Sequence, residues 1–263
     1  LSRYLISIYD WRTAYLIIAI IAWVVLFLVA WVIRHDPKDI GLLPLGVVEN
    51  SKLVTEAQPS SLVKGSDFSL SEAIRTQSFW MLVVMHALCA FCTQIPMAHL
   101  VPYATDAGIP AATAAIAVSI VGIFCIIGKI VLGNAGDRFG IKRIIAISVG
   151  VEAIALLSLI WVKNIPELFA FAAIFGLAFG GWVPQFPALT GRFFGSTSMG
   201  IIFGVIMMGA MIGASTGPTL AGHIFDISGS YNWGFLAAAI AAAIMFVLTF
   251  FIKPPKPRKD KMH

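Results

Sequence analysis

The chain has 263 residues, of which 59% are hydrophobic and only 12% charged, and its mean hydropathy is +0.91. A soluble domain carries about 25% charged residues, so this composition points to a lipid bilayer. The formal net charge of +5 does not mark a nucleic-acid partner, because the cations are segregated: of 18 Lys and Arg, 14 lie in alternate connections and the C-terminal tail, 3 in the opposite connections, and Lys129 within an apolar segment.

Taken in order, seven segments have spanning length, about 20 residues each. They are Thr13–Ile33, Ser78–Val101, Ala111–Leu132, Ile144–Val162, Leu168–Thr190, Met199–Ala221 and Trp233–Ile252. Trp11, Trp31, Trp80, Trp161 and Trp233 fall near their ends, as interfacial belts do. The positive-inside rule puts Arg34–Arg75, Asn134–Arg143, Gly191–Ser198 and Lys253–His263 in the cytoplasm and the other connections outside. The organisation expected is an outer segment and first helix (1–33), a cytoplasmic linker (34–77), a six-helix bundle (78–252) and a basic cytoplasmic tail (253–263). Ser69-x-x-Glu72 at the linker's end reads as the cap of a short surface helix. The chain reads as the C-terminal part of a longer protein. Cys89, Cys92 and Cys125 lie in apolar runs without a cation to favour a thiolate, and read as core residues.

The most polar short run between two long apolar ones is Gly133–Arg143, GNAGDRFGIKR. Gly133, Gly136 and Gly140 are read as turning the backbone. Asp137 is read as a helix-start cap, and Arg138, Lys142 and Arg143 as cytoplasmic charge. Gly128, Gly133, Asp137 and Gly140 recur 89 residues later as Gly217, Gly222, Asp226 and Gly229. Gln94-Ile95-Pro96 recurs 91 residues later as Gln185-Phe186-Pro187. Each unit holds three helices, so the units run in opposite directions. Such an inverted repeat is a common plan of secondary transporters.

The spacing Gly-x-x-x-Asp-Arg-x-Gly-x-Lys-Arg resembles the signature loop of the major facilitator superfamily. With the linker, the repeat and the glycine-rich sixth segment, the resemblance covers most of the chain. It implies an all-α membrane fold of seven transmembrane helices, the last six forming one half of the family's fold. The N-terminal half would then be missing. Arg34-His-Asp-Pro-Lys-Asp-Ile-Gly-Leu-Leu-Pro, Gly191-Arg-Phe-Phe-Gly195 and Gly217-Pro-x-Leu-Ala-Gly222 to Ser228-Gly-Ser-Tyr231 resemble the oxalate/formate antiporter and monocarboxylate porter branch. In that branch a basic residue eight positions before the loop aspartate contacts the substrate carboxylate, and Lys129 stands eight before Asp137. The family residue is usually Arg, and Lys lacks its bidentate fork. Val205–Met208 carries no cation where oxalate-type relatives have a lysine, which disfavours a dianion. The resemblance also gives the loop aspartate a gating role, docking against a helix of the other half.

From the residues themselves, Lys129 is the one Lys or Arg inside a span, four residues and roughly 6 Å from Gly133. It either snorkels to the interface or faces a cavity or partner. Glu152, near the middle of its span, is a possible ion-pair partner of Lys129 or a proton site. His86, Thr93 and Met97 share a helix face with Gln94 beside them. His86 is either hydrogen-bonded to a neighbouring helix or a cavity contact. Trp182, Gln185 and Thr190 are the corresponding set on the fifth segment, with kinks expected at Pro184 and Pro187. Substrate contact is expected of Lys129, His86, Gln94, Trp182 and Gln185. Gly204, Gly209, Gly213 and Gly217 line a packing face.

No catalytic motif, Walker lysine, cofactor site or metal site is recognisable. The expectation is therefore a secondary transporter, not an enzyme, driven by ion or solute gradients and multi-pass in the inner membrane. Its partners would be the lipid bilayer, a small organic anion and a coupled proton or counter-anion, and not nucleic acid. Drug or sugar efflux, or a non-transporting membrane scaffold, are the alternatives.

Overall fold

The computed structural model describes residues 6, 9–32 and 68–255. The motif at 34–44, most of the expected linker and residues 256–263 of the expected tail lie outside the described residues. The chain divides into two units, Leu1–Leu62 and Val63–His263.

In the first unit, α1 (Trp11–Val32) opens with Asp10, whose Oδ1 accepts a hydrogen bond from the Thr13 backbone N–H at 2.8 Å. Its side chains are exposed along nearly the whole length, Trp23, Leu26 and Phe27 among them. At 1.5 Å per residue, 22 residues span about 33 Å. That is the thickness of a bilayer's hydrocarbon core.

The second unit is all helical among the described residues. A short α2 (Leu70–Ala73) precedes α3 (Gln77–Asp106), α4 (Ala111–Phe139), α5 (Ile141–Leu159), α6 (Ile165–Trp182), α7 (Gln185–Phe194), α8 (Met199–Ser228) and α9 (Asn232–Phe251). The expected Ser69–Glu72 cap is present: Glu72 N–H donates to Ser69 Oγ at 3.4 Å, and Ser69 N–H donates to Glu72 Oε2 at 2.9 Å. Six runs are long and apolar enough to cross a membrane, namely Trp11–Trp31, Gln77–Asp106, Ala111–Phe139, Ile165–Phe194, Met199–Ser228 and Asn232–Phe251. The seventh expected span is α5. Its 19 residues reach about 28 Å, but every 18-residue stretch of it carries the three charged residues Lys142, Arg143 and Glu152.

Packing follows the repeat. The most extensive pairings are α4 on α6 and α3 on α8. They exchange when α3–α5 are swapped for α6–α9, with α6 and α7 counted as one broken helix. The pairings of α5 with α6 and of α3 with α9 exchange likewise, and α5 against α9 maps onto itself. Both close crossings are made by glycine. A Cβ on Gly213 would lie 2.0 Å from the Ala87 carbonyl oxygen, and one on Gly209 or Gly217 would lie 2.8 Å from that of Val83 or Phe91. Across the other pair, a Cβ on Gly180 would lie 2.1 Å from the Cys125 oxygen, and one on Gly128 would lie 2.4 Å from the Leu177 oxygen. Backbones at this distance gain dispersion contacts that no larger residue permits.

The Gly133–Arg143 run corrects the expected turn. α4 continues through Gly133 and Gly136 to Phe139, and Gly140 alone leaves helical geometry, at φ 98°. An interior glycine costs a helix only about 1 kcal/mol, and tertiary packing offsets it here. A Cβ on Gly136 would lie 2.3 Å from Gln185 Oε1. The repeated copy behaves alike: α8 runs to Ser228 and ends at Gly229, φ 67°. Asp137 does not cap α5, whose N-cap is Gly140 without a side-chain hydrogen bond. It lies in the last turn of α4, 3.8 Å from Arg192 Nη2, with both side chains exposed. Arg138 shares that turn, where its charge suits the helix dipole.

The expected break at Pro184 is real, since α6 ends at Trp182 and α7 starts at Gln185. Pro187 causes no second break, because it falls in the first turn of α7, where the missing N–H has no helical partner to lose. α3 runs unbroken through Pro96 and Pro102. At the end of the bundle bearing the cations, the Lys142 ammonium donates to the Ile252 carbonyl and Ser78 Oγ donates to that of Lys253 at 2.7 Å. These two side chains occupy carbonyls that the end of α9 leaves unpaired.

Candidate functional site: a buried polar cluster and an exposed lysine

Glu152, fully buried on α5, stands at the junction of three helices. Its Oε1 accepts a hydrogen bond from Thr93 Oγ1 on α3 at 2.8 Å, and its Oε2 accepts one from Trp182 Nε1 at the end of α6 at 2.8 Å. Cys92 Sγ lies 3.6 Å from Oε1 and 3.2 Å from the Cys89 carbonyl oxygen. Lys129 is not among these partners, and no described Lys or Arg lies within ion-pair distance of the carboxylate. The indole N–H can only donate, whereas the threonine hydroxyl donates or accepts. The cluster therefore accommodates Glu152 with or without a proton: when Oε1 is protonated, Thr93 turns from donor to acceptor.

The buried donors make a stability prediction. Glu152→Leu leaves the Trp182 N–H buried without an acceptor and is expected to cost about 1–3 kcal/mol. Glu152→Gln keeps an acceptor oxygen and should lose less. Thermal unfolding of the purified variants in detergent checks the order.

His86, 6% exposed on α3, sits among aromatic rings. Phe186 lies edge-on at 4.2 Å between centroids, Phe203 at 5.8 Å and Trp182 at 6.2 Å. Its Nδ1 has no hydrogen-bond partner among the described residues, so the expected hydrogen bond to a neighbouring helix is absent at that atom. Gln185 is buried, and its amide donates to the Leu132 carbonyl at 2.9 Å, tying α7 to α4. Its repeat partner, Gln94, is instead exposed, so the repeat does not extend to the role of these two side chains. Thr190 is buried and bonded to the Phe186 carbonyl of its own helix.

Of the residues singled out in the sequence, the structure gathers Glu152, Trp182, Thr93 and His86 into one region, and places Lys129 and Gln94 elsewhere. Lys129 is exposed on α4, with Ile126, Ile127 and Ile130 exposed beside it. Its backbone abuts the other helix of the crossing, since a Cβ on Gly180 would lie 2.9 Å from Lys129 N. It stands ten residues, about 15 Å, from the end of α4 at Phe139. The continuing helix thus puts it deeper than a turn at Gly133 implies.

Sequence reasoning did not single out Cys92 as a neighbour of Glu152, Phe203 beside His86, or Gly176 and Gly180 on α6. The Gly176-x-x-x-Gly180 spacing was the available signal for the last pair.

The family model described as Major Facilitator Superfamily matches residues 1–134 and 82–262. The chain belongs to the major facilitator superfamily. Human monocarboxylate transporter 12 is 30% identical over 179 residues, covering 66% of this chain and 35% of that protein. The oxalate:formate antiporter of Oxalobacter formigenes is 26% identical over 212 residues, covering 78% of the chain and 49% of the relative. An uncharacterized MFS-type transporter, YhjX, of Escherichia coli K12 is 30% identical over 165 residues, covering 60% and 40%. The matched regions span half or less of each of these relatives. Within this family the six-helix unit is a half-fold, and the chain is part of a multi-pass membrane protein.

Proposed function

We propose that this chain is the C-terminal half of a secondary transporter that moves a small organic anion, a monocarboxylate, by alternating access. The observation that carries the reading is Lys129: an exposed cation, without a described partner, on an otherwise apolar face of α4. A cation within the span of a membrane helix faces a cavity or a partner, and a point charge there recognises a carboxylate. The names of the relatives, monocarboxylate transporter and oxalate:formate antiporter, support the same ligand class. The N-terminal half of the protein supplies the other wall of the path. Gln94, exposed like Lys129, contributes to the substrate region, the buried His86, Trp182 and Gln185 support it from within the bundle, and Glu152 carries the coupling proton or braces the helices. The basic end of the bundle and the C-terminus face the cytoplasm, in the inner membrane. The test is uptake of labelled lactate, formate and oxalate into proteoliposomes holding the full-length protein. Lactate or formate uptake supports the reading, uptake of a sugar or drug instead replaces it, and no uptake of any solute leaves a scaffold.

Asp137 is the proposed latch of one access state, held toward the other half from the end of α4. Its contact with Arg192 is exposed, and such pairs contribute about 0–1 kcal/mol. Asp137→Ala should therefore leave insertion and melting nearly unchanged while slowing transport. Wild-type transport kinetics in this variant would remove the latch role.

A further inference from the structure

A cleft of about 550 Å³ opens between α5 and α9 at the basic end of the bundle, away from the Glu152 cluster. Lys142 and Arg143 line its mouth, and Ile147, Phe246 and Phe250 line its depth. The order follows from the antiparallel pairing of the two helices. Lys142 reaches the Ile252 carbonyl at the end of α9, and further in, a Cβ on Gly150 would lie 3.3 Å from the Phe246 ring. Arg143 and Ile147 are one turn apart on α5, as are Phe250 and Phe246 on α9, so both walls pass from the polar end into the apolar zone together.

The two cations differ. Lys142 is committed to the Ile252 carbonyl and lies 5.9 Å from the Phe193 ring centroid. Arg143 is exposed, and its side chain has no described hydrogen bond or ion pair. Beside it α5 begins at Gly140 without a side-chain cap, so its first N–H groups and the positive end of its dipole also favour an anion. Ile147 and Phe250 are 55% and 64% exposed, which leaves an apolar trough leading away from the cation into the bilayer.

We propose that this cleft binds an anionic phospholipid, its phosphate diester against Arg143 and its acyl chain along Ile147, Phe246 and Phe250. A basic mouth alone fits any phosphate. The trough of exposed apolar side chains directly below it selects the lipid. The proposal concerns a face separate from Lys129 and does not depend on the substrate assigned above.

Native mass spectrometry of the full-length protein, with dioleoyl phosphatidylglycerol or dioleoyl phosphatidylcholine added, tests it. The wild type should retain phosphatidylglycerol in preference to phosphatidylcholine. Arg143→Gln should lower that retention about fivefold and leave phosphatidylcholine unchanged, while Arg143→Lys retains most of it. Arg192→Gln removes a cation at the same end of the bundle but outside the cleft, and should change nothing. Ile147→Trp fills the trough with both cations in place and should also lower retention. Because Ile147 is exposed, this variant keeps the test decisive if Arg143→Gln proves unstable. Equal retention of the two lipids by the wild type, or unchanged retention in both Arg143→Gln and Ile147→Trp, overturns the proposal. Displacement of the lipid by inorganic phosphate, with Ile147→Trp without effect, reduces the cleft to a phosphate site and also overturns it.

Discussion

Lys129→Gln in the full-length transporter is expected to weaken monocarboxylate binding about ten- to a hundredfold, the worth of one charge-assisted hydrogen bond of about 1.5–3 kcal/mol. Lys129→Arg keeps the charge and should retain part of the affinity. Neither change should unfold the protein, because the side chain is exposed and Glu152 is satisfied by Thr93 and Trp182 without it. That geometry separates two readings left open in the sequence. Had Lys129 balanced Glu152, Lys129→Gln would strand a buried carboxylate and lower protein yield, and Glu152→Gln would restore it. With the two residues unpaired, the double variant should show the binding loss of Lys129→Gln and the small stability loss of Glu152→Gln, added. A lysine that only snorkels to the interface would leave affinity untouched. Calorimetric titration of lactate into wild type and the variants measures the difference.

Gly213→Ala is expected to destabilise the bundle by about 1–3 kcal/mol or more, the range for overpacking a filled interior. The added Cβ would fall 2.0 Å from the Ala87 carbonyl oxygen and 2.8 Å from its carbonyl carbon. Those are backbone atoms, so relief requires α3 and α8 to separate along the whole crossing. Gly180→Ala meets the Cys125 carbonyl oxygen at 2.1 Å on the repeat-related crossing and should cost a similar amount. Gly204→Ala is the control. It lies on the same helix as Gly213, nothing stands within 4 Å of its would-be Cβ, and alanine is the better helix former. Melting temperatures in detergent should fall clearly for Gly213→Ala and Gly180→Ala and hold or rise for Gly204→Ala.

The spanning helices were legible in the sequence for a physical reason: a spanning segment must satisfy its backbone internally and stay apolar for about 20 residues. Gly209, Gly213 and Gly217 were legible because a four-residue spacing places them on one helix face. The same logic applied to Gly176 and Gly180, but Gly181 beside them and the neighbouring phenylalanines obscure the pattern. The end of α4 was misread because Gly133, Gly136 and Asp137 are turn-forming residues by composition. What holds them in a helix is Gln185, about 50 residues away, packing into the space that Gly136 leaves. Sequence separation also hid the carboxylate's partners. Thr93, Glu152 and Trp182 lie on three different helices, and no local spacing links them. Lys129 stood out because a lone cation in an apolar run is costly, but its depth in α4 depended on where that helix ends.

Counterflow tests most directly whether the full-length protein is a carrier with one substrate site open alternately to the two sides. Proteoliposomes holding the full-length protein are loaded with unlabelled lactate and diluted into a trace of labelled lactate. An alternating carrier should draw label inward transiently above its equilibrium level, and Lys129→Gln at the same concentrations should show little or no overshoot. Entry of label at a rate indifferent to preloading, or no entry at all, would contradict the account.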